Sequence, residues 1–445
     1  MKNILILGAG RSATSLIDYL KANANKENWQ IRVGDYDKTL AEEKCSDSSV
    51  CTPFQFDIND KKQRKDEISK ADIVISMLPA RFHVLVAKVC VEMGVNMVTA
   101  SYVSEEMKAL HEQAVEQGVL LLNECGLDPG IDHMSAMKVI DQIRDAGHEL
   151  TAFETFTGGL LAPGTDKENP WEYKFTWNPR NVVLAGQGIV KFIQEGTYKF
   201  IPYHKLFRRT EQVYIAGHGY FEGYANRDSL KYLDVYNLRG IKTIYRGTFR
   251  RPGFCRSWDI FVQLGATDDS YQMEGVDQMT HRSFINSFLS YNPHDSVELK
   301  LAHYMQLELD GPEMHRLKWI GIFDDTPVGL KEGTPAQILE HILKKKWTLK
   351  PEDKDMIVMW HKFEYLDQQQ KAHEINSTLV AVGDDATHTA MSKTVGLPVA
   401  IATRLILSGE IGLNGVQIPI KKEIYQPILQ ELEDIGFEMN EQTVK

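Results

Sequence analysis

Short apolar runs alternate with longer amphipathic stretches along the first part of the chain. Ile4-Leu5-Ile6-Leu7, Ile31-Arg32-Val33, Phe54-Gln55-Phe56 and residues 71–78, 96–100 and 119–123 form the runs. A run apolar at every position suits a strand buried on both faces of a parallel sheet. Helical patterns fill the intervals. They begin with Leu16, Ile17, Tyr19 and Leu20, and continue at 38–44, 60–70 and 82–93. Ser104, with Glu105 and Glu106 in the turn behind it, opens another that runs to about residue 117. Strand and helix alternate with short connections, which predicts an α/β fold whose N-terminal domain is a Rossmann-type doubly wound parallel sheet.

The texture changes beyond residue 150. Residues 152–157 read as a strand and 158–164, GGLLAPG, as a long loop. The segment 171–177, WEYKFTW, is aromatic-rich and carries Lys174. Residues 182–195 read as a helix, 211–215 and 241–249 as strands, and 226–229 as a polar turn. From 254 to 349 the pattern is helical and more polar, with amphipathic stretches at 301–307 and 335–349. Lys344-Lys345-Lys346 reads as a solvated helix face. Strand texture resumes at 356–360 and 378–382. A long helical run, 386–408, is expected to break or kink at Gly396-Leu397-Pro398. Its small residues suit tight packing against the first domain. The expected division is a dinucleotide-binding domain at 1–130 and an α/β catalytic and dimerisation domain at 131–384, with a helical insertion at about 260–350. A segment at 385–445 partly returns to the first domain.

Composition narrows the picture. A chain of 445 residues is long enough for two or three domains. Its net charge of −11, without a long basic block, argues against a nucleic-acid partner. No apolar run reaches the roughly 20 residues of a membrane span. The five cysteines have no C-x-x-C spacing, so no metal site is expected. They suit a reducing cytoplasm, and the chain enters a strand at once, so no secretory leader is expected.

The first strand runs directly into Gly8-Ala9-Gly10-Arg11-Ser12-Ala13, which reads G-x-G-x-x-A. The first Gly permits the turn, the second lets backbone approach a pyrophosphate, and the small third residue lets helix pack on strand. The helix start behind it favours negative charge. Asp35, at the end of the second strand, stands where ribose hydroxyls belong, and Asp57, after the third, near an adenine. Leu78 and Pro79 leave the fourth strand toward the cofactor, and Ser101 and Tyr102 leave the fifth. Residues 126–133, GLDPGIDH, leave the sixth and fix an irregular backbone where substrate meets cofactor. Asp128, held extended by the proline behind it, reads as a site residue, with Leu127 beside it. His133 reads as a helix-capping residue and His83 as a helix-start residue. The densest arginine cluster, 246–251, RGTFRR, would suit an anionic substrate.

Together these stretches resemble the saccharopine dehydrogenase family of the L-glutamate-forming kind. The resembling blocks are GAGRSA at 8–13, SYVS at 101–104, NECGLDPGIDH at 123–133, GGLLAP at 158–163, YKFTW at 173–177 and GYANRDS at 223–229. RGTFR at 246–250, KDMIVM at 354–359, KTVGLPVAIA at 393–402 and EIYQPIL at 423–429 continue the series. The resemblance implies reversible NAD(P)-dependent oxidation of saccharopine to glutamate and 2-aminoadipate 6-semialdehyde, and a homodimer. It places Arg227 on the substrate, with Ser101, Asp128 and the segment Thr248-Phe249-Arg250 beside it. Position and chemistry add Tyr102, Asn226 and Lys174. Asp128, Tyr102 and bulk water all remain open as the base.

Two departures stand out. NADP-using fungal members that resemble this chain carry an arginine at the end of the second strand, where a 2′-phosphate would sit. Here Asp35 would repel that phosphate, so NAD is favoured over NADP. GGLLAP replaces the more usual GGLPAP without touching the chemistry. A related imine reductase such as carboxynorspermidine dehydrogenase is the alternative within the fold. Its polyamine substrate calls for acids where this chain has Arg227 and Arg250. An idle NAD-sensing protein would have lost the glycine loop or Arg227.

Overall fold

The computed structural model describes residues 1–46 and 48–444. They divide into two compact units. The first comprises Met1–Leu150, Tyr365–Ala372 and Leu379–Gln442, and the second Thr151–Glu364, His373–Thr378 and the last residues of the chain.

The first unit is built on β1 (Lys2–Leu7), β2 (Trp29–Asp35), β3 (Cys51–Gln55), β4 (Ile73–Ser76), β5 (Asn96–Val98) and β6 (Leu120–Leu122). A seventh strand, Gly415–Gln417, pairs in parallel with β6. The order is Gly415–Gln417, β6, β5, β4, β1, β2, β3. Each neighbouring pair is parallel. Ile4, Leu5, Ile6 and Leu7 are at most 1% exposed, so β1 is covered on both faces as its pattern requires. The order in which successive strands are added reverses between β1 and β4, and ligands bind outside the carboxyl ends at such a switch point.

The helix Ile131–Asp145 lies in the first unit, so that unit extends past residue 130, the boundary read from the sequence. Ten of its residues are buried, and Tyr425 from the later helix Lys422–Asp434 bonds to its Asp141 at 2.8 Å. The helix Ala390–Leu407 runs unbroken through Pro398 rather than stopping at 396–398. It is long and apolar enough to cross a membrane by length and composition, but 72% of it is buried inside the molecule. It packs on the helix Thr14–Glu27, where Ser15 and Ser392 hydroxyls bond at 3.1 Å. A side chain at Gly396 would meet Leu16 N and Ser12 O at 3.0 Å, so the glycine sets how closely the two helices approach.

The second unit is organised on a mixed sheet. Its strands are β7 (Glu149–Leu161), β8 (Ile189–Gln194), β9 (Thr197–Pro202), β10 (Thr210–Ile215), β11 (Gly219–Ala225), β12 (Thr243–Arg250), β13 (Asp355–Leu366) and β14 (Ala372–Val382). The order β10-β11-β12-β7-β13-β14 ends on Asn440–Thr443, with the β8–β9 hairpin pairing with β12. The expected helix at 182–195 is instead a short helix, Pro179–Val183, followed by β8. Gly186 and Gly188 have φ of +84° and +100° and stop the helix. Beyond them Val190 and Phe192 alternate with outward residues, the period of a strand. The insertion is helical as read, with Phe254–Leu264, Val297–Met305, Pro312–Ile320 and Pro335–Trp347. Thr334 and Gln337 form a reciprocal capping box at the start of Pro335–Trp347.

The cysteines depart from the sequence reading, which paired none. Cys45 and Cys51 form a disulfide. Cys90, Cys125 and Cys255 are buried and unpaired.

Candidate active site

Gly8 has φ of +103°, and a side chain there would meet the Met77 carbonyl at 2.8 Å. Only glycine lets the loop after β1 lie this close to the exit of β4. At Gly10 the position of an added carbon is open, so the backbone faces free space. Ala13 is buried, and the helix Thr14–Glu27 starts behind it. Arg11 is exposed and Ser12 half-buried. This is a cradle whose shape and N–H groups fit a pyrophosphate.

Asp35 ends β2 beside the cradle. One carboxylate oxygen accepts from Ala9 N at 2.7 Å and the other from Asp37 N at 2.9 Å. The carboxylate therefore braces the glycine loop, besides its expected place at the ribose. Asp57 accepts from Asn59 N at 2.9 Å and closes the turn after β3. That gives it a local structural task besides the expected neighbourhood of the adenine. Leu78 and Pro79 lie at the exit of β4, half-buried and exposed respectively.

Two loops meet beside them. Glu124 N donates to Ser101 O at 3.0 Å. The Glu124 carboxylate, in a backbone with φ of +56°, accepts from Val103 N at 2.9 Å and meets His133 Nε2 at 2.8 Å. His133 is thus a buried partner of Glu124 and not a helix cap. Asp132 serves the helix start instead, accepting from Gly130 N at 2.6 Å. Gly130 has φ of +148°, and a side chain there would sit 2.0 Å from Gly126 O. The loop from Gly126 to Gly130 therefore closes on itself through backbone, with Leu127 buried. Its free edge presents Asp128. Tyr102 Oη donates to Asp128 Oδ1 at 3.2 Å. The two residues read as candidates for proton chemistry stand together.

Sequence reasoning missed Glu124 and His133 as a buried latch between the two loops. The sole local signal was two titratable residues within one irregular segment. His83, read as a helix-start residue, lies buried against Ser76 and Ser101.

In the second unit, Asn226 and Arg227 follow the end of β11. Asn226 N donates to Arg246 O at 2.8 Å and Lys191 N to Arg227 O at 3.0 Å. These bonds pin the turn while Arg227, at φ of +51°, keeps an exposed side chain. Thr248 is half-buried and pairs across the sheet with Tyr224 and Thr157.

Three expected substrate residues prove to be internal. Lys174 is buried and paired with Asp353 at 2.7 Å and Asp166 at 2.9 Å. Phe249 is fully buried and stacks on Phe156 with centroids 5.2 Å apart. Arg250 is 4% exposed, donates to the Phe249 carbonyl at 2.8 Å, and has its guanidinium over Tyr173 at 4.9 Å and Phe254 at 5.3 Å. Strand alternation turns Phe249 into the aromatic core, and the ring cage holds Arg250 as a packed cation.

The parallel sheet in 3-2-1-4-5-6 order, the glycine cradle and the acid that ends β2 define a nicotinamide-dinucleotide-binding α/β protein. Residues 4–122 match the family model described as "Saccharopine dehydrogenase NADP binding domain", and residues 126–437 match "Saccharopine dehydrogenase C-terminal domain". The chain belongs to the saccharopine dehydrogenase family. The Saccharomyces cerevisiae saccharopine dehydrogenase [NADP(+), L-glutamate-forming] is 32% identical over 455 residues, covering 100% of this chain and 99% of that protein. A solved apo structure of saccharopine dehydrogenase (L-Glu forming) from the same yeast matches with a TM-score of 0.90 and 30% identity over 100% of both chains. The mitochondrial alpha-aminoadipic semialdehyde synthase of Mus musculus is 33% identical over 99% of this chain, but the match covers 48% of that protein. The chain thus spans about half the length of the mammalian relatives it matches.

Proposed function

We propose that the protein catalyses the reversible, nicotinamide-dependent conversion of saccharopine and water to glutamate and 2-aminoadipate 6-semialdehyde. The observation that carries the proposal is the Tyr102–Asp128 pair at the carboxyl edge of the parallel sheet that bears the glycine cradle. Relatives matched across their whole length are named for this reaction, which supports the choice of substrate.

Gly8, Ala9, Gly10, Arg11 and Ser12 would hold the pyrophosphate and Asp35 the ribose. A bound nicotinamide dinucleotide supplies the hydride acceptor. Asp128 Oδ1 takes the proton that the substrate's secondary ammonium must lose before its nitrogen lone pair can form the C=N bond. Tyr102 Oη, bonded to the same oxygen, steadies that carboxylate and gives the proton a second stop. Water adding to the C=N bond gives a carbinolamine, whose C–N bond then breaks to release amine and aldehyde. Arg227 offers an exposed, permanently charged fork for a substrate carboxylate. Thr248 adds a hydroxyl. Lys174, Phe249 and Arg250 stay inside the second unit with their own partners.

The preference for NAD over NADP is part of the proposal. The domain model and the fungal relatives carry NADP in their names. The carboxylate of Asp35 beside the loop favours free ribose hydroxyls over a 2′-phosphate. We also propose a homodimer, which follows from the family resemblance.

The test is reduction of NAD and of NADP by purified protein with saccharopine, followed by absorbance of the reduced nicotinamide. Turnover with NAD supports reaction and preference together. Turnover with NADP alone keeps the reaction and removes the preference. No turnover with either, alongside tight dinucleotide binding, would overturn the substrate and turn attention to carboxynorspermidine.

A further inference from the structure

His83 opens the helix His83–Met93 and is 4% exposed. Its Nδ1 meets Ser76 Oγ at 2.8 Å and its Nε2 meets Ser101 Oγ at 2.7 Å. Ser76 is the buried last residue of β4, and Ser101 follows its neighbour β5. The ring therefore bridges the carboxyl ends of two adjacent strands, the edge where ligands bind in this fold. Burial pushes the imidazole down to about 4, so the ring is neutral near pH 7 and has one donor and one acceptor nitrogen.

We propose that His83 is a positioning residue that holds the Ser101 hydroxyl in a single orientation toward substrate and cofactor. This rests on the function proposed above, together with the family resemblance, which implies that Ser101 lies beside the substrate. A free serine side chain samples three staggered rotamers. The Nε2 bond selects one of them, and the Ser76 bond helps decide which ring nitrogen carries the proton. The helix start supplies the rigidity, since it fixes the imidazole on the element behind β4 and not on the loop that bears Ser101.

Four variants test the role. His83→Asn places an amide near the former Nδ1 and leaves Ser101 without its partner. His83→Gln reaches the former Nε2. Ser101→Ala and the double variant H83N/S101A complete the set. We expect His83→Asn and Ser101→Ala each to lower kcat with saccharopine about tenfold, a size typical of lost orientation at a reacting centre. His83→Gln should recover most of that loss, and the double variant should fall no further than Ser101→Ala.

Equal losses in His83→Asn and His83→Gln, or losses that multiply in the double variant, would show a packing role and overturn the proposal. If His83→Asn does not fold, nitrogen NMR of the wild type and Ser101→Ala gives the answer. The Nε2 signal should move far more than Nδ1, and an unmoved Nε2 overturns the proposal. A wild type that binds dinucleotide but turns over no saccharopine overturns the proposed function instead. Unchanged dinucleotide affinity in His83→Asn would then overturn the positioning role as well.

Discussion

At the scale of single residues, charge and burial decide what each group does. Asp35 bonds Ala9 N and Asp37 N, and the proposed function gives it the ribose as well. Hydrogen bonds to a charged group contribute about 1.5–3 kcal/mol each. Asp35→Ala should therefore cut the NAD to NADP ratio of kcat/KM by at least about tenfold. An unchanged ratio would remove the specificity argument. Lys174 shows the opposite case. Its partners Asp166 and Asp353 outweigh desolvation and raise its pKa. Lys174→Ala should cost about 3–5 kcal/mol, because two acids lose their counter-charge, and chemical denaturation would measure it. The stability contributed by this cation is whole below its unfolded value near 10.4 and drains away as pH climbs through the raised folded value. His83 has the reverse sign. Its folded value is depressed, so the unfolded chain binds the extra proton between about pH 6.5 and 4. Stability from this group is present above that window and lost as pH falls through it.

At the scale of elements, the loop after β6 is fixed by its glycines more than by its charged residues. Gly130→Ala forces a carbon into Gly126 O at a φ that side chains rarely adopt. The cost should be on the order of 3 kcal/mol, read as a lower Tm together with loss of turnover. A variant with wild-type Tm and activity would show that the loop tolerates another path. The same scale explains where local patterns misled. Residues 182–195 looked helical because apolar positions recur at either spacing in a short window. Two positive-φ glycines and pairing with β9 decided for a strand.

At the scale of the whole chain, residues far apart in sequence build one unit. The helix Ala390–Leu407 lies against the helix that begins at the glycine loop, with Gly396 at the contact. Gly396→Leu should push the two apart and lower dinucleotide affinity about tenfold, a shift of about 1.4 kcal/mol that fluorescence titration would detect. Unchanged affinity with a lowered Tm would mean that the C-terminal helix supports the unit without shaping the cradle. Light scattering should give the mass of two chains if the proposed homodimer is right, and a single-chain mass would remove that part of the proposal.

The glycine cradle, the acid at the end of β2 and the parallel first sheet were legible in the chain itself. Each depends on residues adjacent in sequence and on backbone geometry that only certain side chains permit. The roles of Lys174, Phe249 and Arg250 were not legible. Whether a charge meets substrate or an internal partner depends on which face of its strand turns inward and on what arrives from elsewhere. Lys174 gains Asp353, 179 positions away. The bridge from Ser76 through His83 to Ser101 was hidden for the same reason. Local sequence sets backbone preference and chemical inventory, whereas burial, which decides whether a polar group is spent or available, is a property of the packed chain alone.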